Sequence, residues 1–272
     1  MPHLNIKRFD PSKMQDDRVS IFLGPPGSGK STAIKYIFAY KSDIPFGLVI
    51  SPTECMNHFF EKFIPKILIQ DEYTDELLNN LIDRQTKLAR KVEKGTLTDE
   101  MIDRRTFLCM DDCLADDDWT RRKPIRKLFM IGRHLRCSTF ITLQAPLGVL
   151  PQLRSNIHYV FIQKYGNYKD MLKIYENYAP VFRTKQEFFK TLETLTENYC
   201  TMVIDNTTNS SKLSDRIFWM KADEKVEFKM MSPEIWEYSQ KTCKEDDDDE
   251  EEDNNDLELF NKNNNLVIKK LT

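Results

Sequence analysis

Glycine is scarce in this chain. There are only eight in 272 residues, and three of them crowd together at Gly24, Gly27 and Gly29. No uninterrupted apolar run approaches the ~18 residues that span a bilayer, so no transmembrane segment is expected. The opening residues, MPHLNIKRFDPSK, lack the apolar stretch of a signal peptide, and export is not expected either. The six cysteines include no Cys-x-x-Cys pair and are scattered through apparent strands. Free thiols in a reducing compartment fit that pattern better than a disulfide framework. The four histidines lie far apart and at no zinc-ligand spacing.

A large net charge is also missing. The formal value is −3, from 40 basic and 43 acidic residues. That average hides an asymmetry. Residues 245–272 hold 11 acids, unbroken from Glu245 to Asp253, and three bases, for a net of −8. The remainder carries +5. A mildly basic body with an acidic appendage is therefore expected, divided as a lead-in arm over 1–18, one domain over 19–244 and an acidic disordered tail over 245–272. The tail has too little apolar surface to fold alone. A body of this size can bury a full core, and 40% hydrophobic residues is ordinary for a globular protein.

Short apolar runs alternate with helical patterns. Val19–Leu23, Leu48–Ile50, Phe107–Met110, Thr139–Leu143 and Tyr159–Ile162 read as buried strands. Helices are expected from Thr32 to about Tyr40, over 55–63, from Asp75 to Lys94, and over about 167–178 and 184–198. The Asp75–Lys94 segment is acidic at its start and basic at its end, with Gly95 placed to stop it, and reads as a solvated helix of no special role. Ile64–Ile69 reads as strand or loop, and Thr201–Ile204 and Ile217–Met220 as extra C-terminal strands. The alternation implies an α/β fold with helices flanking a mostly parallel sheet.

The crowded glycines belong to Gly24-Pro25-Pro26-Gly27-Ser28-Gly29-Lys30-Ser31-Thr32, a full match to G-x-x-x-x-G-K-[ST] between a strand and a helix. A loop that wraps a polyphosphate must aim successive backbone N–H groups inward, which needs residues without a Cβ at its tight positions. The following helix offers its N-terminal N–H groups to the phosphates. Lys30 is placed for the β- and γ-phosphates of ATP, and the Ser31 hydroxyl for Mg²⁺.

Such a site also needs a carboxylate for Mg²⁺ and a group that orients the attacking water. Phe107–Met110 ends in Asp111 and Asp112, which supply both. Consecutive residues leaving a strand point to different sides. Asp111 is assigned to Mg²⁺ and Asp112 to the water. Asp116, Asp117 and Asp118 are the competing carboxylates, better read as a loop or helix cap.

Four stretches carry a wider resemblance: LNIKRFDPSKMQDDRVSIFLG, GPPGSGKST, FLCMDD, and GRHLRCSTFITLQ followed by LPQLRSNIHYVFI. Together they cover most of residues 4–163. They resemble the poxvirus-type genome-packaging ATPases of nucleocytoplasmic large DNA viruses, within the FtsK–HerA superfamily. The resemblance implies a RecA-like (ASCE) P-loop NTPase that works as a ring oligomer and moves double-stranded DNA into a capsid.

By that resemblance Gln144 is the polar sensor of the γ-phosphate or attacking water. Arg133 is the first choice, and Arg154 the rival, for an arginine acting on a neighbouring subunit's nucleotide; Arg136 stands close by. Many superfamily members carry Glu where this chain has Asp112, one methylene shorter. Trp119–Arg136 holds seven bases and no acid, placing it on DNA phosphates, at a subunit interface, or on a solvated helix face. The acidic tail reads as a DNA mimic, as a dock for a capsid or inner-membrane virion protein, or as a solubilising end. The implied location is the viral factory in the host cytoplasm, with association to the virion. Two other classes stay open: a phosphotransferase resembling nucleotide kinases, and a nucleotide-gated virion assembly factor that does not hydrolyse.

Overall fold

A computed structural model describes residues 5–113, 118–146 and 149–243. The tail expected over 245–272 lies outside the described residues, as do Asp116 and Asp117.

The described strands form one nine-stranded sheet. In chain order they are β1 (Lys7–Arg8), β2 (Val19–Leu23), β3 (Gly47–Ile50), β4 (Ile69–Gln70), β5 (Thr106–Met110), β6 (Cys137–Leu143), β7 (Tyr159–Ile162), β8 (Thr201–Asp205) and β9 (Ile217–Met220). Across the sheet the order is β1-β9-β8-β7-β2-β6-β5-β3-β4. All pairings among them are parallel except those of β8, which opposes both β7 and β9. β2 is therefore central, and β6 separates it from β5.

The central strands are buried along their whole length, so both sheet faces must be covered. Side chains alternate by type. Ile21, Leu23, Leu108, Met110, Ile141, Leu143, Val160 and Ile162 share one face. There they meet Leu78, Leu81 and Ile82 of α3 (Asp75–Glu93) and Ile125, Leu128 and Phe129 of α4 (Lys123–Ile131). The opposite face presents Phe22, Phe107, Phe140 and Phe161 to Ile34, Ile37 and Phe38 of α1 (Lys30–Ala39). Phe22 and Phe161 stack at 4.4 Å, and Phe38 lies 4.8 Å from Phe107 and 5.0 Å from Phe140.

The short helices α2 (Glu54–Asn57) and α5 (Pro151–Arg154) connect these layers, and α6 (Tyr168–Tyr178) and α7 (Lys185–Leu195) join β7 to β8. A last helix covers 233–243.

Two local expectations change. The helix expected over 55–63 is broken after Asn57, because His58 takes φ +48° and a separate 3-10 turn, Phe60–Lys62, follows. Ile64–Ile69 resolves into a 3-10 turn and the two-residue edge strand β4. Residues 5–18, in the lead-in arm, pack on the body. β1 pairs with β9, and Phe9 and Met14 are buried, with Phe9 edge-on to Tyr159, Phe161 and Phe218.

Candidate active site

The phosphate loop leaves the C-terminal end of β2 between β6 and β7. Leu23 is paired with Leu143 and with Ile162, so Gly24 emerges beside Gln144 and Gln163. Open parallel sheets bind ligands at this edge. A Cβ on Gly24 would stand 2.3 Å from Ser28 Oγ and 2.8 Å from Gln163 Cβ, so only glycine fits. Gly29 adopts φ +94° and starts α1 at Lys30, two residues earlier than the pattern suggests. The N–H groups of Lys30, Ser31 and Thr32 thus form the open first turn, which has no partners within the helix.

Lys30 is buried although it is a lysine. Its Nζ lies 3.4 Å from the Pro25 carbonyl and 3.6 Å from Asp112 Oδ2. Met110 pairs with Ile141, which sets Asp111 across from Thr142. The Thr142 hydroxyl donates to Asp111 Oδ1 at 2.8 Å and accepts from the Asp112 N–H at 2.8 Å. Asp111 Oδ2 is 3.4 Å from Ser31 Oγ. Gln144 donates from Nε2 to Asp112 Oδ2 at 2.8 Å. The Tyr165 hydroxyl fixes the Gln144 carbonyl at 3.0 Å.

The alternation expected of Asp111 and Asp112 does not hold in its simple form. Alternation assumes extended backbone, and Asp112 takes φ +51°. The turn brings both carboxylates within reach of Thr142, Asp112 Oδ1 lying 3.2 Å away. Their outer oxygens still diverge, Asp111 towards Ser31 and Asp112 towards Lys30 and Gln144.

Burial is the largest influence on Asp111 and pushes its carboxyl up to about 6. The Thr142 bond acts against that shift, the Asp112 charge adds to it, and Lys30 and Ser31 oppose it. A carboxylate made costly by burial, beside a hydroxyl oxygen, suits a divalent cation. Among the described residues no three His, Cys, Asp or Glu side chains cluster as a metal site. Magnesium commonly needs only one or two protein ligands besides water and substrate phosphates, so Ser31 and Asp111 fit it. Ser28 Oγ is buried inside the phosphate loop and without a partner among the described residues, a further polar atom suited to a bound oxyanion.

Lys30, Ser31, Asp111, Asp112 and Gln144 are thus brought together, while the arginines are not. Arg133 and Arg136 precede β6 and so lie at the opposite edge of the sheet. Arg133 is exposed, and its charge acts on His158, just before β7. Arg136 pairs with Asp17 at 3.7 Å and Asp99 at 3.8 Å. Arg154 is held by Val149 O at 3.0 Å and Asn177 Oδ1 at 2.8 Å. The residues that sequence reasoning misses are Thr142 and Tyr165. A buried threonine one step before the end of an apolar strand is the signal that points to Thr142.

The basic segment is largely α4. It buries Pro124, Ile125, Leu128 and Phe129 and exposes Lys123, Arg126, Lys127 and Met130 along one stripe. Arg121 pairs with Asp118 at 3.3 Å, and Arg122 with Asp75 at 3.7 Å.

A family model described as Poxvirus A32 protein matches residues 6–246. An uncharacterised protein of Acanthamoeba polyphaga mimivirus is 36% identical over 225 residues, covering 82% of this chain and 79% of its own. One from Invertebrate iridescent virus 3 is 37% identical over 201 residues, covering 74% of each. Among solved structures, a genome packaging NTPase from Sulfolobus turreted icosahedral virus 2, in complex with AMP, superposes with a TM-score of 0.52. It is 13% identical and covers 77% of this chain and 100% of its own, which is likeness of fold.

Proposed function

The chain belongs to the Poxvirus A32 protein family, and on that premise we propose that it is an ATP-driven translocase that packages viral double-stranded DNA into the capsid. It hydrolyses ATP to ADP and phosphate. The observation that carries this function is the meeting of Lys30, Asp111, Asp112 and Gln144 at the C-terminal edge of β2, β5 and β6. The solved neighbour is itself a genome packaging NTPase, which agrees with this reading.

Catalysis here is positioning and electrostatics. The open N–H groups of α1 and the Lys30 ammonium hold the phosphates. Ser31 and Asp111 hold Mg²⁺, which supplies charge neutralisation to the phosphates when bound. Asp112 orients the attacking water and accepts its proton. Gln144 acts as sensor, since its amide contacts Asp112 directly.

The exposed stripe of α4 faces DNA phosphates or a neighbouring subunit. Arg133 and Arg154 stand too far round the sheet to serve their own site, which supports action on a neighbour in a head-to-tail ring. Among the described residues no helix is long and apolar enough to cross a membrane. A capsid or inner-membrane virion protein would dock the ring at the viral factory in the host cytoplasm, leaving it associated with the virion.

Phosphate release by the assembled oligomer, measured with and without double-stranded DNA, tests this function. DNA should stimulate release, and Lys30→Ala should abolish it with the fold kept. Hydrolysis indifferent to DNA would count against a motor. Phosphate on a nucleotide acceptor would indicate a kinase, and tight binding without turnover an assembly factor.

A further inference from the structure

β8 is antiparallel to β7, so it begins at the edge where β7 ends; Ile162 is paired with Met202. The 3-10 turn Glu197–Tyr199 leads into β8 there, next to the phosphate loop. Between them opens a cavity of about 430 Å³ whose lining includes Pro26, Ser28, Gln163, Asn198, Tyr199 and Cys200. Gly24 packs against Gln163 so closely that no Cβ fits, so the cavity wall and the phosphate loop are one surface.

Two features of this wall bear on its use, although the turn itself is closed by the Cys200 N–H donating to the Glu197 carbonyl at 3.0 Å. Asn198 and Tyr199 are consecutive left-handed residues, at φ +52° and +59°. Asparagine tolerates that region, but a bulky aromatic there is an outlier, and such strain gathers at ligand clamps. Tyr199 is also 75% exposed, although an aromatic ring ordinarily gains by burial. The strained turn therefore holds an aromatic face out at a cavity mouth.

Two polar side chains of the cavity are already engaged. Gln163 Nε2 donates to Thr201 Oγ1 at 2.8 Å, and the Thr196 hydroxyl to Leu192 O at 2.7 Å.

We propose that this cavity receives the nucleobase and ribose of a nucleoside triphosphate, with the base stacked on Tyr199. The proposal rests on the phosphate loop holding the triphosphate. Every base has a π face, so a stacking site is tolerant of base identity. ATP and GTP are both accepted, with little preference between them.

The test is calorimetric binding of ATP, GTP and inorganic tripolyphosphate to the full chain, to Tyr199→Ala and to Tyr199→Phe. Wild-type affinities for ATP and GTP should agree within about tenfold. Tyr199→Ala should weaken both nucleotides about 5- to 100-fold. It should leave tripolyphosphate, which has no base, unchanged, and Tyr199→Phe should bind nucleotides as wild type does. Unchanged ATP binding in Tyr199→Ala would overturn the proposal, and so would an equal loss for tripolyphosphate or a loss in Tyr199→Phe as large as in Tyr199→Ala. Wild-type protein that binds neither ATP nor tripolyphosphate would instead overturn the phosphate-loop assignment beneath it.

Discussion

Gln144 Nε2 donates to Asp112 Oδ2 at 2.8 Å, joining the tips of β6 and β5, which lie side by side in the sheet. The same carboxylate oxygen is 3.6 Å from Lys30 Nζ. One atom thus connects the group assigned to the water, the amide assigned as sensor and the lysine of the phosphate loop.

That connection predicts a split in kinetics. Gln144→Ala removes the donor without touching Lys30 or Ser31. Misplacement of a reacting group by about 1 Å costs on the order of 10²-fold in rate. We expect kcat to fall by about that factor while nucleotide binding stays near wild type. An equal rise in Kd, measured by calorimetry, would make Gln144 a binding residue instead.

The aromatic face of the sheet predicts a stability effect with no chemistry attached. Phe38 is fully buried between Phe107 and Phe140 on the face covered by α1. Phe38→Ala should cost about 3–5 kcal/mol. For a domain of this size that is a fall in Tm of roughly 10 °C, readable by calorimetry. A shift of only a degree or two would mean that α1 relaxes onto the sheet.

His158 predicts a pH dependence. Burial, then the charges of Arg18 and Arg133, lower its imidazole from 6.5 to about 4. Its Nδ1 accepts the Val19 N–H at 3.3 Å, which requires an unprotonated nitrogen there. The unfolded chain takes up a proton near pH 6.5, whereas the folded chain resists it until about pH 4. Stability from this group is therefore present above pH 6.5 and lost as pH falls towards 4. Denaturant midpoints of wild type and His158→Asn should show a steeper loss between pH 7 and pH 5 in wild type. Parallel slopes would remove His158 from the account.

Much of this protein is local in origin and so was legible in the chain. The crowding of Gly24, Gly27 and Gly29 before Lys30 encodes a loop, because tight turns and close backbone approach depend on contiguous residues. Apolar runs such as Tyr159–Ile162 mark strands buried on both faces, and the chain folds them with those bounds. Asp111, Asp112 and Gln144 are visible because each directly follows such a run.

What tertiary structure decided is which strand ends meet and which face away. The register of β5 on β6 sets Thr142 against both aspartates, and no local pattern carries that pairing. The reversed direction of β8 brings Tyr199 to the phosphate loop, although 169 residues separate it from Lys30. Arg133 and Arg154 look close to the site along the chain, yet strand polarity carries them to the opposite edge of the sheet. The physical reason is the same in each case. Apolar patterning selects strands, whereas their order and direction follow from how both faces of the whole sheet are buried at once.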